Sequence, residues 1–215
     1  MLKRKTFETR DQWLVGRYSQ GIGASEAAAA VGMSPWQSPL DLWKVKSGIT
    51  PPKNLSGNAA VEQGNRMEPI LREFYAGMHP EYAVEYHQYD ILYQDERPWL
   101  FATLDGELIE VDTGRRGILE IKTATPNGKA GWDKWANGNL PQNYYIQTIH
   151  QLLVTGFDFV RLFAALFSMN GDITLRGYEI EREDVKEDIE WLLEQETEFW
   201  GKVQRGEMPA MPLML

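Results

Sequence analysis

The sequence predicts an α/β fold in which a mixed central β-sheet is flanked by helices. Segments with strand-like patterning are interspersed with segments whose apolar residues recur at helical spacing. One strand-like segment, residues 117–123, is apolar on both faces, as expected for a strand covered on both sides. The 215 residues are enough for one sizeable core, and no repeat or convincing linker divides them. These three observations favour a single α/β domain.

Three short helices are predicted in the first 60 residues. Thr9 can cap the first of them. The stretch "GIGASEAAAAVGMS" indicates a Gly-rich turn and an alanine helix, with Ser25 as its N-cap and Gly32 as its end. The stretch "SPLDLWKVKSG" repeats this pattern, with Ser38 as the cap and Gly48 at the end. Residues 1–60 are therefore expected to form a helical N-terminal part.

Residues 61–180 are expected to form the core of the domain. Apolar residues recur at helical spacing between Val61 and Met78, and this stripe is predicted to be buried: Met67, Ile70, Leu71, Phe74, Tyr75 and Met78. Strands are predicted near residues 82–93, 99–104, 106–111, 117–123, 159–167 and 173–180, with "DTGRRG" as a hairpin turn. The stretch "LPQNYYIQTIHQLLVTG" predicts a helix that ends at Gly156, and a last amphipathic helix follows from about residue 183.

The charge distribution leaves room for an acidic partner such as DNA. The formal net charge is −9, but residues 181–198 hold nine acids and two bases, a net −7, so the other residues carry only about −2. The acidic segment, taken as a C-terminal helix over 181–205, is expected to be a solvated face. There is no cysteine, which is compatible with a reducing cytoplasm, and no membrane span or signal peptide is expected.

An acid–lysine motif stands in the predicted hairpin. Glu120 and Lys122 share one face of their strand, and Asp105 at the start of the partner strand can reach the same edge. Two acids beside one lysine in a partly buried place are costly unless a cation gathers them. A hard divalent ion bound by Asp105, Glu120 and the Ile121 carbonyl would supply that cation. The alternative is an ordinary Glu–Lys pattern on a surface hairpin.

Two further groups of residues suit contact with nucleic acid. Ser25, at a predicted helix N-terminus, and the preceding Arg17 could seat a phosphate group, although a plain N-cap serine and a surface arginine give the same pattern. In "TPNGKAGWDKWANGN", lysines such as Lys129 are interleaved with tryptophans such as Trp132, which suits phosphate pairing and base stacking. A packed tryptophan pair is the alternative.

Four pieces of the chain, in this order and spacing, resemble the YqaJ-like viral recombinase and lambda-type exonuclease family of the PD-(D/E)XK nuclease superfamily. They are an arginine before "GIGASEAAAAVGMSPW", then "GNRMEPILREFY", the Asp105 and Glu120-Ile121-Lys122 pair, and "YYIQTIHQLLVTG". The resemblance runs from about residue 13 to 156. It implies a PD-(D/E)XK, or restriction-endonuclease-like, core.

The resemblance also implies roles for individual residues. Glu68 matches the helix glutamate that completes the acidic cluster, directly or at a second metal site, and Arg17 and Ser25 match the residues that hold a terminal 5′-phosphate. Gln147 matches the glutamine lining the site. His150, at helical spacing from Gln147, is expected to make a DNA or structural contact. The family often has proline before the aspartate; here Leu104 stands there, while Thr103 keeps a hydroxyl for phosphate binding.

The resulting hypothesis is a magnesium-dependent 5′→3′ exodeoxyribonuclease that acts on linear double-stranded DNA. The resemblance further implies two Mg²⁺ ions, for which Mn²⁺ can substitute, a ring-shaped homotrimer, and a single-strand annealing protein as partner in phage-type recombination in a bacterial host. Three alternatives stay open. They are a structure-specific or restriction-type endonuclease on the same core, a DNA-binding relative without catalysis, and an acidic adaptor protein.

Overall fold

The computed structural model describes residues 1–210. The sequence predicts that prolines break regular structure in "GEMPAMPLML", residues 206–215, and the last five of these residues lie outside the described part. The strands are β1 Leu2–Thr6, β2 Ile22–Gly23, β3 Tyr82–Glu85, β4 Asp90–Gln94, β5 Arg97–Ala102, β6 Gly106–Glu110, β7 Arg116–Ala124, β8 Phe159–Phe167 and β9 Ile173–Glu181. The α-helices are α1 Arg10–Gln20, α2 Ala24–Ala30, α3 Pro39–Lys46, α4 Ala59–Met78, α5 Gly128–Asp133, α6 Gln142–Thr155 and α7 Lys186–Arg205. A 3₁₀ turn, Arg182–Val185, precedes α7.

The strands form two mixed sheets, so the predicted α/β class with a mixed sheet is confirmed. The larger sheet has the order β3-β6-β7-β8-β9, in which only the β7–β8 pair is parallel. Strand β7 is its central strand, and Ile118, Leu119 and Ile121 on it are buried as predicted. The smaller sheet has the order β1-β4-β5-β2, in which β2 and β5 are parallel. Strand β7 is thus positioned to carry residues into the middle of the domain.

Two strand predictions were wrong. The single strand expected over residues 82–93 is two strands, β3 and β4, which belong to different sheets. Strand β1 and the two-residue strand β2 were missed, and the N-terminal part is therefore not purely helical. Four of the five residues of β1 are exposed, so it carries little apolar alternation. Its pairing with β4, which is distant in sequence, stabilises it as a strand.

The helix caps test the local predictions. Thr9 accepts a hydrogen bond from the Gln12 backbone N–H at 3.3 Å, and Ser38 caps α3, as predicted. Ser25, however, is not the N-cap of α2. Gly23 holds that position, and its backbone N–H donates to the Glu26 carboxylate at 3.0 Å. Because glutamate at the third helical position supplies the cap contact, the Ser25 hydroxyl is left for another partner.

Helix α4 lies against β7 and β8 with a narrower apolar stripe than predicted. Leu71 and Tyr75 are buried, whereas Ile70, Phe74 and Met78 are exposed. One face of a helix that packs on a sheet is covered only along the line of contact, and the flanking apolar positions stay open to solvent. The exposed residues form an apolar strip, which we call the α4 strip.

Helix α6 packs between α2 and α7 and against β5. It ends at Gly156, which adopts the left-handed conformation with φ 72°, as the sequence predicted. Almost all of its second half is buried, so polar side chains on that half must find partners inside the protein. No helix within residues 1–210 combines the length and apolarity needed to span a membrane.

Candidate active site

Glu120 is the most enclosed carboxylate of the predicted motif. Its side chain is 2% exposed and lies beside Lys122, whose Nζ is 2.5 Å from Glu120 Oε1. Gln147 of α6 donates to the same oxygen at 2.6 Å, and Gln151, one turn later, donates to Oε2 at 2.5 Å. Helix α6 therefore presents two amides to β7, which hold the carboxylate in one orientation. Gln147 was predicted to line the site, whereas Gln151 was not among the predicted site residues.

Asp105 lies directly before β6 and approaches β7 from the side. Its Oδ2 accepts a hydrogen bond from the Ile121 backbone N–H at 2.8 Å. Burial, followed by the negative charges of Glu120 and Glu68, raises the pKa of Asp105 well above its ordinary value, against the opposing effect of Lys122. The structure thus brings together the three acids that were predicted from different parts of the chain.

Glu68 reaches this cluster from α4 and is held by Arg72, one turn later on the same helix. Arg72 Nη2 donates to Glu68 Oε1 at 2.6 Å, while its Nε donates to the Asp105 carbonyl oxygen at 2.5 Å. The guanidinium carbon also lies 3.5 Å from the centroid of the Tyr86 ring. Burial raises the pKa of Glu68 despite the charge of Arg72. The sequence analysis missed Arg72, although its i+4 spacing from Glu68 was visible.

Lys122 is 16% exposed and is charged in this environment. Burial lowers its pKa, but the charges of Glu120 and Asp105 outweigh that effect, and the net pKa is raised. Its Nζ also lies 5.1 Å from the centroid of the Tyr144 ring. A protonated lysine that contacts one carboxylate and is attracted by a second can neutralise negative charge on a substrate or orient a water molecule.

Arg17 and Ser25 are adjacent, as the phosphate-seat hypothesis requires. Arg17 Nη2 donates to Ser25 Oγ at 3.2 Å, and its guanidinium carbon lies 4.6 Å from the centroid of the Trp13 ring. Burial lowers the pKa of Arg17, and the charges of Glu26, Asp105 and Glu120 act in the opposite direction. Arg17 therefore lies within the electrostatic reach of the acidic cluster.

Of the two kinds of contact expected of His150, to DNA or structural, the structure shows the structural one. Its side chain is fully buried. Its Nδ1 lies 2.7 Å from Glu196 Oε1 on α7, and its Nε2 lies 2.9 Å from the Phe101 carbonyl oxygen. Both partners are acceptors, so both ring nitrogens must carry protons. The imidazolium makes structural contacts, because α7 and β5 cover the face of α6 on which His150 lies.

Three other predicted DNA contacts, Thr103, Lys129 and Trp132, differ in their surroundings. Thr103 lies two residues before Asp105 and lines a cavity of about 10 Å³ with Arg4 and Asp90. In the segment around α5, Lys129 is exposed, Trp132 is half-buried and packs against a hydrophobic cluster, and Trp135 is buried. The packed-tryptophan alternative therefore holds for Trp135, while Lys129 and Trp132 stay predicted contacts.

The donor chemistry of the cluster fits a hard divalent cation. Asp105 and Glu68 are carboxylates whose pKa values are raised by burial and by neighbouring negative charge, so a cation among them would relieve an unfavourable arrangement. Oxygen donors without cysteine or histidine suit magnesium or manganese rather than zinc. Within residues 1–210, no three Asp, Glu, His or Cys side chains converge tightly enough to chelate an ion unaided.

Comparisons with known proteins show which family the chain matches. A family model for the YqaJ-like viral recombinase domain matches residues 12–158. A Bacillus subtilis (strain 168) protein called "Uncharacterized protein YqaJ" is 29% identical over 213 residues, which is 98% of this chain but only 62% of that protein's length.

Two solved exonucleases have a similar fold. The alkaline exonuclease from Laribacter hongkongensis is 20% identical, with a TM-score of 0.67 over 91% of this chain and 93% of that one. The phage-related exonuclease from Haemophilus somnus 129PT is 13% identical, with a TM-score of 0.52 over 89% of this chain and 95% of that one. The fold predicted for the PD-(D/E)XK core is thereby confirmed.

Proposed function

Because the chain belongs to the YqaJ-like viral recombinase family, we propose that it is a metal-dependent exodeoxyribonuclease that degrades linear double-stranded DNA. The observation that carries this proposal is the buried Glu120–Lys122 pair with Asp105 beside it. The charges of Glu120 and Lys122 already compensate each other, so a purely structural ion pair does not explain why Asp105, which Glu120 repels, lies beside it. A site for a cation and a phosphodiester accounts for all three groups.

In the proposed reaction, Lys122 neutralises the scissile phosphate or orients the attacking water, since its ammonium is buried and charged. Gln147 and Gln151 fix the orientation of Glu120. Asp105, Glu120, the Ile121 carbonyl and, directly or at a second position, Glu68 would hold two Mg²⁺ ions, with Mn²⁺ as a substitute. These ions would activate water and stabilise the charge that develops on the phosphate.

We further propose 5′→3′ polarity with Arg17 and Ser25 as the seat of the terminal 5′-phosphate. Their mutual contact and the closeness of Arg17 to the acidic cluster support this assignment. A charge-assisted guanidinium–phosphate contact contributes about 1.5–3 kcal/mol, or roughly 10- to 150-fold in a binding constant. Gln147, Thr103, Lys129 and Trp132 would complete the contacts to DNA.

The proposed biological setting is phage-type recombination by single-strand annealing in the cytoplasm of a bacterial host. A ring-shaped homotrimer and an annealing protein as partner belong to the same proposal. The α4 strip, Ile70, Phe74 and Met78, supports a protein contact, since contiguous exposed apolar surface marks interaction sites. Light scattering on the wild type and on Phe74→Glu tests it; a monomeric wild type would rule out the trimer.

The decisive experiment is magnesium-dependent digestion of linear duplexes with either 5′-phosphate or 5′-hydroxyl ends, alongside a closed circle. We expect loss of the linear substrates, faster from 5′-phosphate ends, with the circle intact. Arg17→Ala should erase most of the end preference, and Ser25→Ala should reduce it less. Cleavage of the circle would instead favour the endonuclease, and binding without any cleavage would favour a DNA-binding relative without catalysis.

A further inference from the structure

Trp36 is the most exposed phenylalanine, tyrosine or tryptophan side chain within residues 1–210. It lies in the loop between α2 and α3, and 69% of its surface is accessible. Burying an indole is strongly favourable, so a protein that leaves one open loses that stabilisation unless a partner covers it. The surroundings of Trp36 indicate what that partner is.

A chain of aromatic contacts leads from Trp36 to the candidate active site. The centroids of the Trp36 and Tyr144 rings are 6.1 Å apart, and Lys122 Nζ lies 5.1 Å from the same Tyr144 ring. One phenol ring therefore separates the exposed indole from the ammonium that would meet the scissile phosphate. Tyr144 also packs against buried Trp135, with the two ring centroids 5.4 Å apart, and this contact supports the phenol ring. The indole is thus supported by packed rings.

Positive charge flanks the same cluster. Lys129 on α5 and Lys134 directly after it are exposed, and neither makes an ion pair with a residue in the described part of the chain. They lie on the segment that carries Trp135. Exposed aromatic rings combined with unpaired lysines are the combination that binds strands of nucleic acid, through base stacking and phosphate attraction.

We propose that Trp36 is a stacking platform for a nucleobase of the DNA strand whose phosphate lies at Lys122, within the first few nucleotides of the end. This assignment rests on the proposed nuclease function and adds a specificity-determining contact to it. Every base can stack on an indole, so the platform would not select for a particular DNA sequence. It would select for the presence of a base and for the geometry of the strand. Tyr144 is a positioning residue that links the platform to Lys122.

The expected size of the effect follows from base–aromatic stacking, which corresponds to about a 5- to 150-fold change in affinity per base. Trp36→Ala should weaken binding to DNA ends by that factor, and Trp36→Phe should keep most of the affinity. Trp191→Ala is the matched control, because Trp191 on α7 is another exposed tryptophan. Both positions are at the surface, so the variants should fold, and circular dichroism checks this.

The test compares a normal 5′-phosphorylated duplex with one that carries abasic sites at the terminal nucleotides, by anisotropy in calcium. The wild type should bind the abasic duplex 5- to 150-fold more weakly, Trp36→Ala should bind both equally, and Trp191→Ala should match the wild type. If Trp36→Ala discriminates as well as the wild type, the platform is ruled out. A change of oligomeric state with unchanged DNA discrimination would assign the indole to a protein interface and also overturn the proposal.

Digestion by the wild type in magnesium, run in parallel, separates the two proposals. If the wild type digests linear duplex but binds the abasic and the normal duplex equally tightly, only the platform proposal is refuted. A wild type that neither binds nor digests linear duplex refutes the nuclease function, and the platform with it.

Discussion

Removing the negative charge of Glu120 and removing that of Asp105 should change the stability of the protein in opposite directions. The matched variants are Glu120→Gln and Asp105→Asn, each of which keeps the shape of the side chain. Glu120 is 2% exposed and accepts from Lys122, Gln147 and Gln151, whereas the pKa of Asp105 is raised by burial and by its acidic neighbours. The first carboxylate is compensated inside the protein, and the second is not.

Glu120→Gln should lower the free energy of unfolding. Breaking a buried ion pair by removing one partner costs about 3–5 kcal/mol, and the amide nitrogen of glutamine would face a donor. Lys122 is only 16% exposed, so water cannot replace the lost partner fully. Lys122 keeps the attraction of Asp105, which favours the lower end of that range, about 3 kcal/mol. For a domain of this size the melting temperature should fall by about 6–12 °C.

Asp105→Asn should raise the stability of the metal-free protein at neutral pH. A carboxyl whose pKa is raised on folding binds its proton more tightly in the folded state, so wild-type stability falls as pH rises from about 4, the unfolded value, through the raised pKa. The advantage of the asparagine variant should therefore be absent in acid and grow across that interval. The Ile121 N–H keeps an oxygen acceptor in this variant.

The assay is urea unfolding of both variants and the wild type in EDTA, from pH 4 to pH 8. Equal slopes with shifted midpoints would show that stability itself has changed. The reasoning is refuted if the two variants shift stability in the same direction at pH 7.5, or if Glu120→Gln costs less than about 1 kcal/mol, the net value of an ordinary hydrogen bond. Loss of nuclease activity in both variants is expected and does not discriminate.

Four further predictions follow from named contacts. Lys122→Ala should reduce the cleavage rate about 100- to 1000-fold while calorimetry shows metal binding intact; collapse of metal affinity would assign the lysine a structural role. Arg72→Gln should lower kcat about 10- to 100-fold with KM for DNA nearly unchanged, because Arg72 orients Glu68 and the Asp105 carbonyl; a change confined to KM would contradict this. Calcium in place of magnesium should permit DNA binding and suppress cleavage, and equal turnover in both ions would count against a tight carboxylate site. Glu196→Ala should cost about 3–5 kcal/mol below pH 6.5. Burial lowers the pKa of His150 but Glu196 and the Phe101 carbonyl raise it more, so this stabilisation is lost as pH rises through the raised pKa; a pH-independent cost in urea unfolding would contradict the imidazolium.

Features set by local spacing could be predicted from the sequence. The period of two along a strand places Glu120 and Lys122 on one face, and the two side chains are in contact. Thr9 and Ser38 cap their helices because a cap needs only a side-chain oxygen and the next turn of the same helix. The hairpin pattern predicted that Asp105 reaches the same edge, whereas Glu68 was placed there only by the family resemblance.

Only the tertiary structure decided which polar side chains lose contact with water, and that determines their roles. Periodicity shows that Gln147, His150 and Gln151 share a face of α6, but β7 covers part of that face and α7 covers another part. Gln147 and Gln151 thereby hold Glu120, and His150 becomes a buried partner of Glu196, one of the acids that were expected on the solvated face of the last helix. Arg72 likewise acquires its role from the Asp105 carbonyl, 33 residues away. Burial depends on what packs against a face, and packing joins residues distant in the chain, so local spacing carries no information about it.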